Sequence, residues 1–216
     1  MARKTQDWLP YTLTLIIGVV FWLLAQTANA NSVVVYEIDS QNTRISFNWS
    51  YFGMLSPPGS FSQATGRIYG NLDDPMSSSV EVAIPVRTLK TFMPAIDNEL
   101  LNSGDFFKPD QYPIMRFRSD GIMHVDKREK TFSLTGTLTV NGISKPVILS
   151  TQSPAKDQNP FATRKPGMEL TATTRFRRSE FGMTRMLGVV GDDMQVKLKV
   201  VAVEKSRQAQ MPPITQ

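Results

Sequence analysis

Residues 45–51, Ile-Ser-Phe-Asn-Trp-Ser-Tyr, alternate without a fault. Ile45, Phe47, Trp49 and Tyr51 are large and apolar or aromatic, and Ser46, Asn48 and Ser50 are small and polar. A β-strand sends successive side chains to opposite faces, so the stretch reads as a strand with one greasy face. Two partners suit that face: the protein's own packed core, or a molecule held inside the protein. The residues of the strand do not choose between them.

The same period of two recurs along the chain. It predicts strands over 33–38, 43–52, 66–72, 79–86, 114–125, 131–140, 146–151, 169–177 and 194–203, rich in Thr, Val, Ile and Phe as strands prefer. Turn residues separate them. Asn141-Gly142 predicts a two-residue type I′ hairpin, and Asp73-Asp74-Pro75 and Asp126-Lys127 predict further turns. Residues 153–167, with Pro154, Pro160 and Pro166, read as a long surface loop. One helix is expected, entered at Pro94 and stopped by Gly104, with Ile96, Glu99, Leu100 and Ser103 on one side. The tail from Ser206 is polar and reads as disordered. Many long strands joined by hairpins indicate an all-β fold, a sandwich or an up-and-down barrel of about eight strands. Such a barrel is wide enough to be filled by side chains or to hold one small ligand.

The first thirty of the 216 residues read as a segment apart from the fold. Arg3 and Lys4 precede the uncharged run Tyr11 to Ala25, and Ala28-Asn29-Ala30 fits a small-x-small cleavage site. That is the pattern of a secretory signal peptide cleaved after Ala30, with an uncleaved anchor as the alternative. Cleavage would place a mature domain, 31–205, in the periplasm or outside the cell. The leading segment holds Arg3, Lys4 and Asp7, a net +1 of the +5 total, which leaves +4 on the mature chain. A modest positive balance suits a membrane surface and is poor support for nucleic acid.

Absences narrow the chemistry. The chain has no cysteine, which rules out disulfides, thiol catalysis and cysteine-bound metals. Its single histidine, His124, lies on an alternating segment that ends at Asp126 and reads as a surface residue. A zinc site built from several histidines cannot form. Gly191-Asp192-Asp193 reads as a turn, since two adjacent acids without further ligands make a poor metal site. The Asn48-Trp49-Ser50 sequon lies within a strand. Arg44 and Arg67 read as solvated strand positions.

Four blocks of residues carry a resemblance. They are Phe47 to Gly53 with Gly59-x-Phe61 and Gly66-x-Ile68; Gly104-Asp105-Phe106-Phe107 with Tyr112-Pro113 and Phe117-x-Ser119; Gly136-x-Leu138-Thr139-x-x-Gly142-x-x-Lys145-Pro146-Val147; and Arg178-Ser179-Glu180-Phe181-Gly182-Met183 closing with Val190-Gly191-Asp192. In order and spacing, from about Tyr36 to Glu204, the chain resembles the YceI-like family of bacterial secreted proteins. The resemblance implies an extended lipocalin-like antiparallel barrel that binds, and stores or transports, an isoprenoid or similar amphiphilic lipid of the polyprenyl phosphate or quinone type, without catalysis and without a cofactor. It also implies a periplasmic location and, for some relatives, a link to quinone-using membrane cytochromes. The chain departs from the family pattern where an early His-Ser pair is Asn42-Thr43 and where a histidine before a strand-ending glycine is Tyr51.

On that resemblance the expected ligand-binding residues are Ile45, Phe47, Trp49, Tyr51, Phe61, Ile84, Phe117, Leu138, Phe176, Arg178 and Phe181. Alternation places Arg178 and Glu180 on one face, where Arg178 either meets a polar headgroup or fixes a loop. Asp105-Phe106-Phe107 reads as a plug at one barrel end or as a lid over its mouth. Two rival readings remain: a lipid-modifying enzyme using Glu180 and Asp105, and an interaction module of a membrane redox complex. The oligomeric state is open, with a dimer allowed.

Overall fold

A computed structural model describes residues 33–55, 58–71, 74–126, 128–153 and 167–205. The predicted signal segment, the proline-rich loop and the polar tail all lie outside the described residues. Among these residues twelve strands form in chain order: β1 (Val33–Ile38), β2 (Arg44–Asn48), β3 (Ser50–Tyr51), β4 (Met54–Leu55), β5 (Gly59–Phe61), β6 (Thr65–Asn71), β7 (Ser79–Pro85), β8 (Ile114–Asp126), β9 (Thr131–Val140), β10 (Ile143–Gln152), β11 (Gly167–Arg177) and β12 (Asp193–Glu204). Among the described residues one α-helix, α1 (Pro94–Asn102), accompanies three 3₁₀ turns.

Antiparallel pairing runs from β1 through β6, β7, β8, β9, β10 and β11 to β12, and β12 pairs back onto β1, which closes a barrel. Two staves are built from two strands each. The C-terminal half of β12 pairs with β1 (Ile38 opposite Ala202) and its N-terminal half with β2 (Arg44 opposite Lys199). On the next stave β6 pairs with β1 and β5 pairs with β2. The wall thus has eight staves, and closure removes the exposed edges that an open sheet must protect.

The break between β1 and β2 is a capped turn. The Asp39 carboxylate accepts hydrogen bonds from the Gln41 and Asn42 amides and from Asn42 Nδ2, which holds its carboxyl below the ordinary carboxylate range. Buried Thr43 rejoins the wall, its Oγ1 accepting from the Val201 amide at 3.1 Å.

The predicted strand over 43–52 divides at Trp49. β12 begins at Asp193 and its last pairing with β2 is Gln195 opposite Asn48, so the partner strand runs out just beyond that point. The chain turns instead into the small hairpin β3–β4, with positive φ at Phe52 and Gly53. The Asn141-Gly142 hairpin forms as expected: Val140 faces Ile143, and φ is 51° and 76° at the two turn residues, as type I′ requires.

Helix α1 begins with Pro94 in its first turn and ends before Gly104, whose φ of 74° suits a residue without a Cβ. Asp97, in the first turn, accepts from the Thr91 amide and hydroxyl. The helix packs Leu100 and Leu101 against a cluster that contains Ile45, Phe47, Phe61, Val86, Leu89, Phe106 and Phe181. A second cluster, Phe117, Leu134, Val147, Leu149 and Ala172, lies elsewhere along the barrel, and Leu138, Val82 and Leu198 touch both.

Candidate functional site

Inward positions alternate along each stave. On β12 they are Met194, Val196, Leu198 and Val200; on β11, Leu170, Ala172, Thr174 and Phe176; on β10, Val147, Leu149 and Thr151. These side chains do not close the space between them. They surround a cavity of about 160 Å³ whose wall is almost wholly hydrocarbon. The four inward residues of β12 are half-buried where a filled core would bury them, because they border that space. A water molecule needs roughly 10–15 Å³ by this measure, so the cavity has room for about a dozen atoms before any side chain moves.

Of the residues expected to contact a ligand, Ile45, Phe47, Trp49, Phe61, Ile84, Phe117, Leu138, Phe176 and Arg178 line this cavity. Two others are placed elsewhere. Tyr51 lies past the point where the strand leaves the barrel wall. It bridges to Val190, stacks edge-on against Phe52 and is 42% exposed, so the alternation that set it beside Trp49 does not carry that far. Phe181 does not border the cavity. It is fully buried behind the wall, its ring edge-on to Phe176 with centroids 5.2 Å apart.

The alternation over 178–181 fails for the same kind of reason. Arg178–Phe181 is a 3₁₀ turn, in which residues three apart eclipse, so Arg178 and Phe181 go inward together and Glu180 faces solvent. Arg178 and Glu180 form no ion pair. The Arg178 guanidinium donates instead to three carbonyls, those of Gly191 (3.0 Å), Met183 (2.6 Å) and Val190 (2.9 Å), and lies over the Phe106 ring, 5.6 Å from its centroid. Burial lowers its pKa, and the nearby Asp192 opposes that shift. Asp192 itself accepts from the Ser179 amide and hydroxyl. Arg178 thus fixes the loop that follows it.

Leu100 of α1 lines the cavity together with Phe106 and Phe107, the segment read as a plug or a lid. Phe107 sets its ring edge-on to Phe61 at 5.7 Å. The Asn141 side chain clamps this plug, donating to the carbonyls of Phe106 (2.7 Å) and Phe181 (3.3 Å) and accepting from the Lys108 amide. Nothing in the hairpin pattern marked Asn141 for this second task. The two acids of the enzyme reading lie outside the cavity lining: Asp105 pairs with Arg185, and Glu180 is exposed. His124 is exposed near the end of β8. Among the described residues no group of three His, Asp or Glu side chains is placed to hold a metal ion.

A family model described as the YceI-like domain matches residues 36–202. A UPF0312 protein of Photorhabdus laumondii is 26% identical over 192 residues, which is 88% of this chain and 97% of the relative. The crystal structure of Burkholderia cenocepacia BcnA superposes with a TM-score of 0.64 at 17% identity, covering 76% of this chain and 98% of that one. A polyisoprenoid binding domain from Saccharophagus degradans, implicated in plant cell wall breakdown, has a TM-score of 0.53 at 11% identity over 79% of this chain and 98% of that one. At these identities the two structures share its fold.

Proposed function

The chain belongs to the YceI-like domain family, and from that premise we propose that it is an exported, non-catalytic carrier that holds an isoprenoid-like lipid of the polyprenyl or quinone type in its barrel. The observation that carries this reading is the cavity: a space inside a closed barrel, walled by Phe, Leu, Ile, Val and Met side chains contributed by every stave. The polyisoprenoid-binding neighbour of the same fold supports the class of ligand.

The energetics need nothing more than this wall. Burying a CH₂ group contributes about 0.8 kcal/mol, so one five-carbon unit is worth roughly 4 kcal/mol. Association costs about 4–15 kcal/mol, so two or three units, roughly 8–12 kcal/mol, offset the middle of that range. Two to three units is also about what the cavity takes in this conformation. A longer chain would be accommodated by displacing half-buried side chains of the lining, among them those of β12 and Phe107.

The test is extraction of the purified protein with organic solvent and mass spectrometry of the extract, followed by titration of the delipidated protein with prenyl alcohols and quinones of graded length. A copurifying isoprenoid, or affinity that rises with chain length, is the expected result. An extract without hydrophobic molecules, together with no uptake of any added chain, rejects the carrier. Export is tested separately: the periplasmic fraction should contain a protein whose N-terminus is Asn31.

A further inference from the structure

Side chains with a polar atom are few on the cavity lining: Trp49, Thr151, Thr174 and Arg178. Arg178 is committed to three loop carbonyls. The Thr151 hydroxyl makes a long contact, 3.4 Å, with the Leu149 carbonyl of its own strand. Thr174 is different. Its residue is 8% exposed and alternates inward with Ala172 and Phe176, yet its Oγ1 is the one buried side-chain polar atom without a hydrogen-bond partner among the described residues. A buried hydroxyl left unpaired costs free energy, and valine would fill the same volume without that cost.

Its position on the wall is also distinctive. The ladder between β10 and β11 pairs Ser150–Gln152 with Thr171–Thr173 and ends there, so Thr174 is the first residue of β11 beyond it. Thr151 stands opposite Ala172, which makes Thr174 its diagonal neighbour on the inner face, within about 7–8 Å. Two threonines therefore lie side by side in the lining, with the Thr174 hydroxyl turned away from the space and a rotation about its Cα–Cβ bond enough to bring it to a ligand.

We infer that Thr174 is a ligand contact: its hydroxyl hydrogen-bonds a neutral oxygen, a hydroxyl or a ring carbonyl, carried by the isoprenoid into the barrel. This rests on the carrier reading and narrows it. A phosphate at this depth would face hydrocarbon and at most two hydroxyls, with three of the five Arg178 N–H bonds already given to carbonyls, and its desolvation would go largely unmatched. The site therefore selects prenols and quinones over prenyl phosphates.

The experiment titrates the delipidated protein with three probes: geranylgeraniol, the C20 hydrocarbon with hydrogen in place of its hydroxyl, and geranylgeranyl phosphate. The alcohol should bind about five-fold or more tighter than the hydrocarbon, as one net hydrogen bond provides. T174V should lose that margin and leave the hydrocarbon's affinity unchanged, and T174S should retain it. Unliganded T174V should melt above the wild type, since it removes an unpaired hydroxyl. Equal affinity of T174V and wild type for the alcohol overturns the inference, as does a phosphate that binds tighter than the alcohol or a T174V that melts lower. If wild type binds hydrocarbon and alcohol alike, this inference falls and the carrier stands; if no probe binds, both fall.

Discussion

Arg178 brings a positive charge to the end of the barrel and, among the described residues, forms no ion pair, although Asp192 is near. Its three carbonyl partners span residues 183–191, so a single guanidinium replaces the ladder that a strand would have supplied to that loop. Lysine cannot reproduce the planar fork that reaches all three. R178M leaves three acceptors unpaired beside the plug and should cost about 4–9 kcal/mol in urea unfolding, each of the three hydrogen bonds to a charged group being worth about 1.5–3 kcal/mol. The sequence showed an arginine in a motif and left two roles open, headgroup contact and loop anchor. The geometry of its donors, which depends on where the loop returns, is what distinguishes them. Thr174 was missed for a related reason. A threonine on a strand is ordinary, and only the company it keeps inside the barrel makes its hydroxyl unusual.

At the scale of the element, strand and hairpin positions were legible wherever a local rule acts. The ranges of β1 and β9 coincide with the period-two reading, and the type I′ turn follows from Asn141-Gly142. Besides 178–181, the misread stretch is 43–52, where alternation continues in the sequence after the partner strand has ended. Pairing is a property of two strands, and the start of β12 cannot be seen from β2. Close approach between strands supplies a prediction of its own. A Cβ on Gly136 of β9 would lie 2.4 Å from the Arg118 carbonyl oxygen of β8 and 2.7 Å from the Phe117 ring. The carbonyl belongs to the wall and cannot swing aside. G136A should therefore destabilise the barrel by about 1–3 kcal/mol, read as a fall of roughly 2–12 °C in the melting temperature.

Across the whole molecule, closure of eight staves with side chains too short to meet in the middle creates the cavity, and one substitution can test that it is the binding space. Ala172 lines the cavity and is 5% exposed. A172F should fill much of it while the barrel still folds, at a stability cost of about 1–3 kcal/mol. Lipid that raises the melting temperature of the wild type, as any ligand of the native state must, should leave A172F unmoved. A full lipid-induced shift in folded A172F would place the binding site elsewhere.

The all-β class, the strand rhythm, the hairpin turns and the helix at Pro94 were written in the sequence, because each depends on neighbours within a few positions of the chain. The same holds for the inward face of Ile45, Phe47 and Trp49. Whether that face meets a packed core or an open space, where β2 leaves the wall, which carbonyls Arg178 holds and which hydroxyl goes without a partner were decided by tertiary structure alone. Each of these depends on the distance between strands remote in sequence, and a periodic pattern of side chains carries no record of that distance.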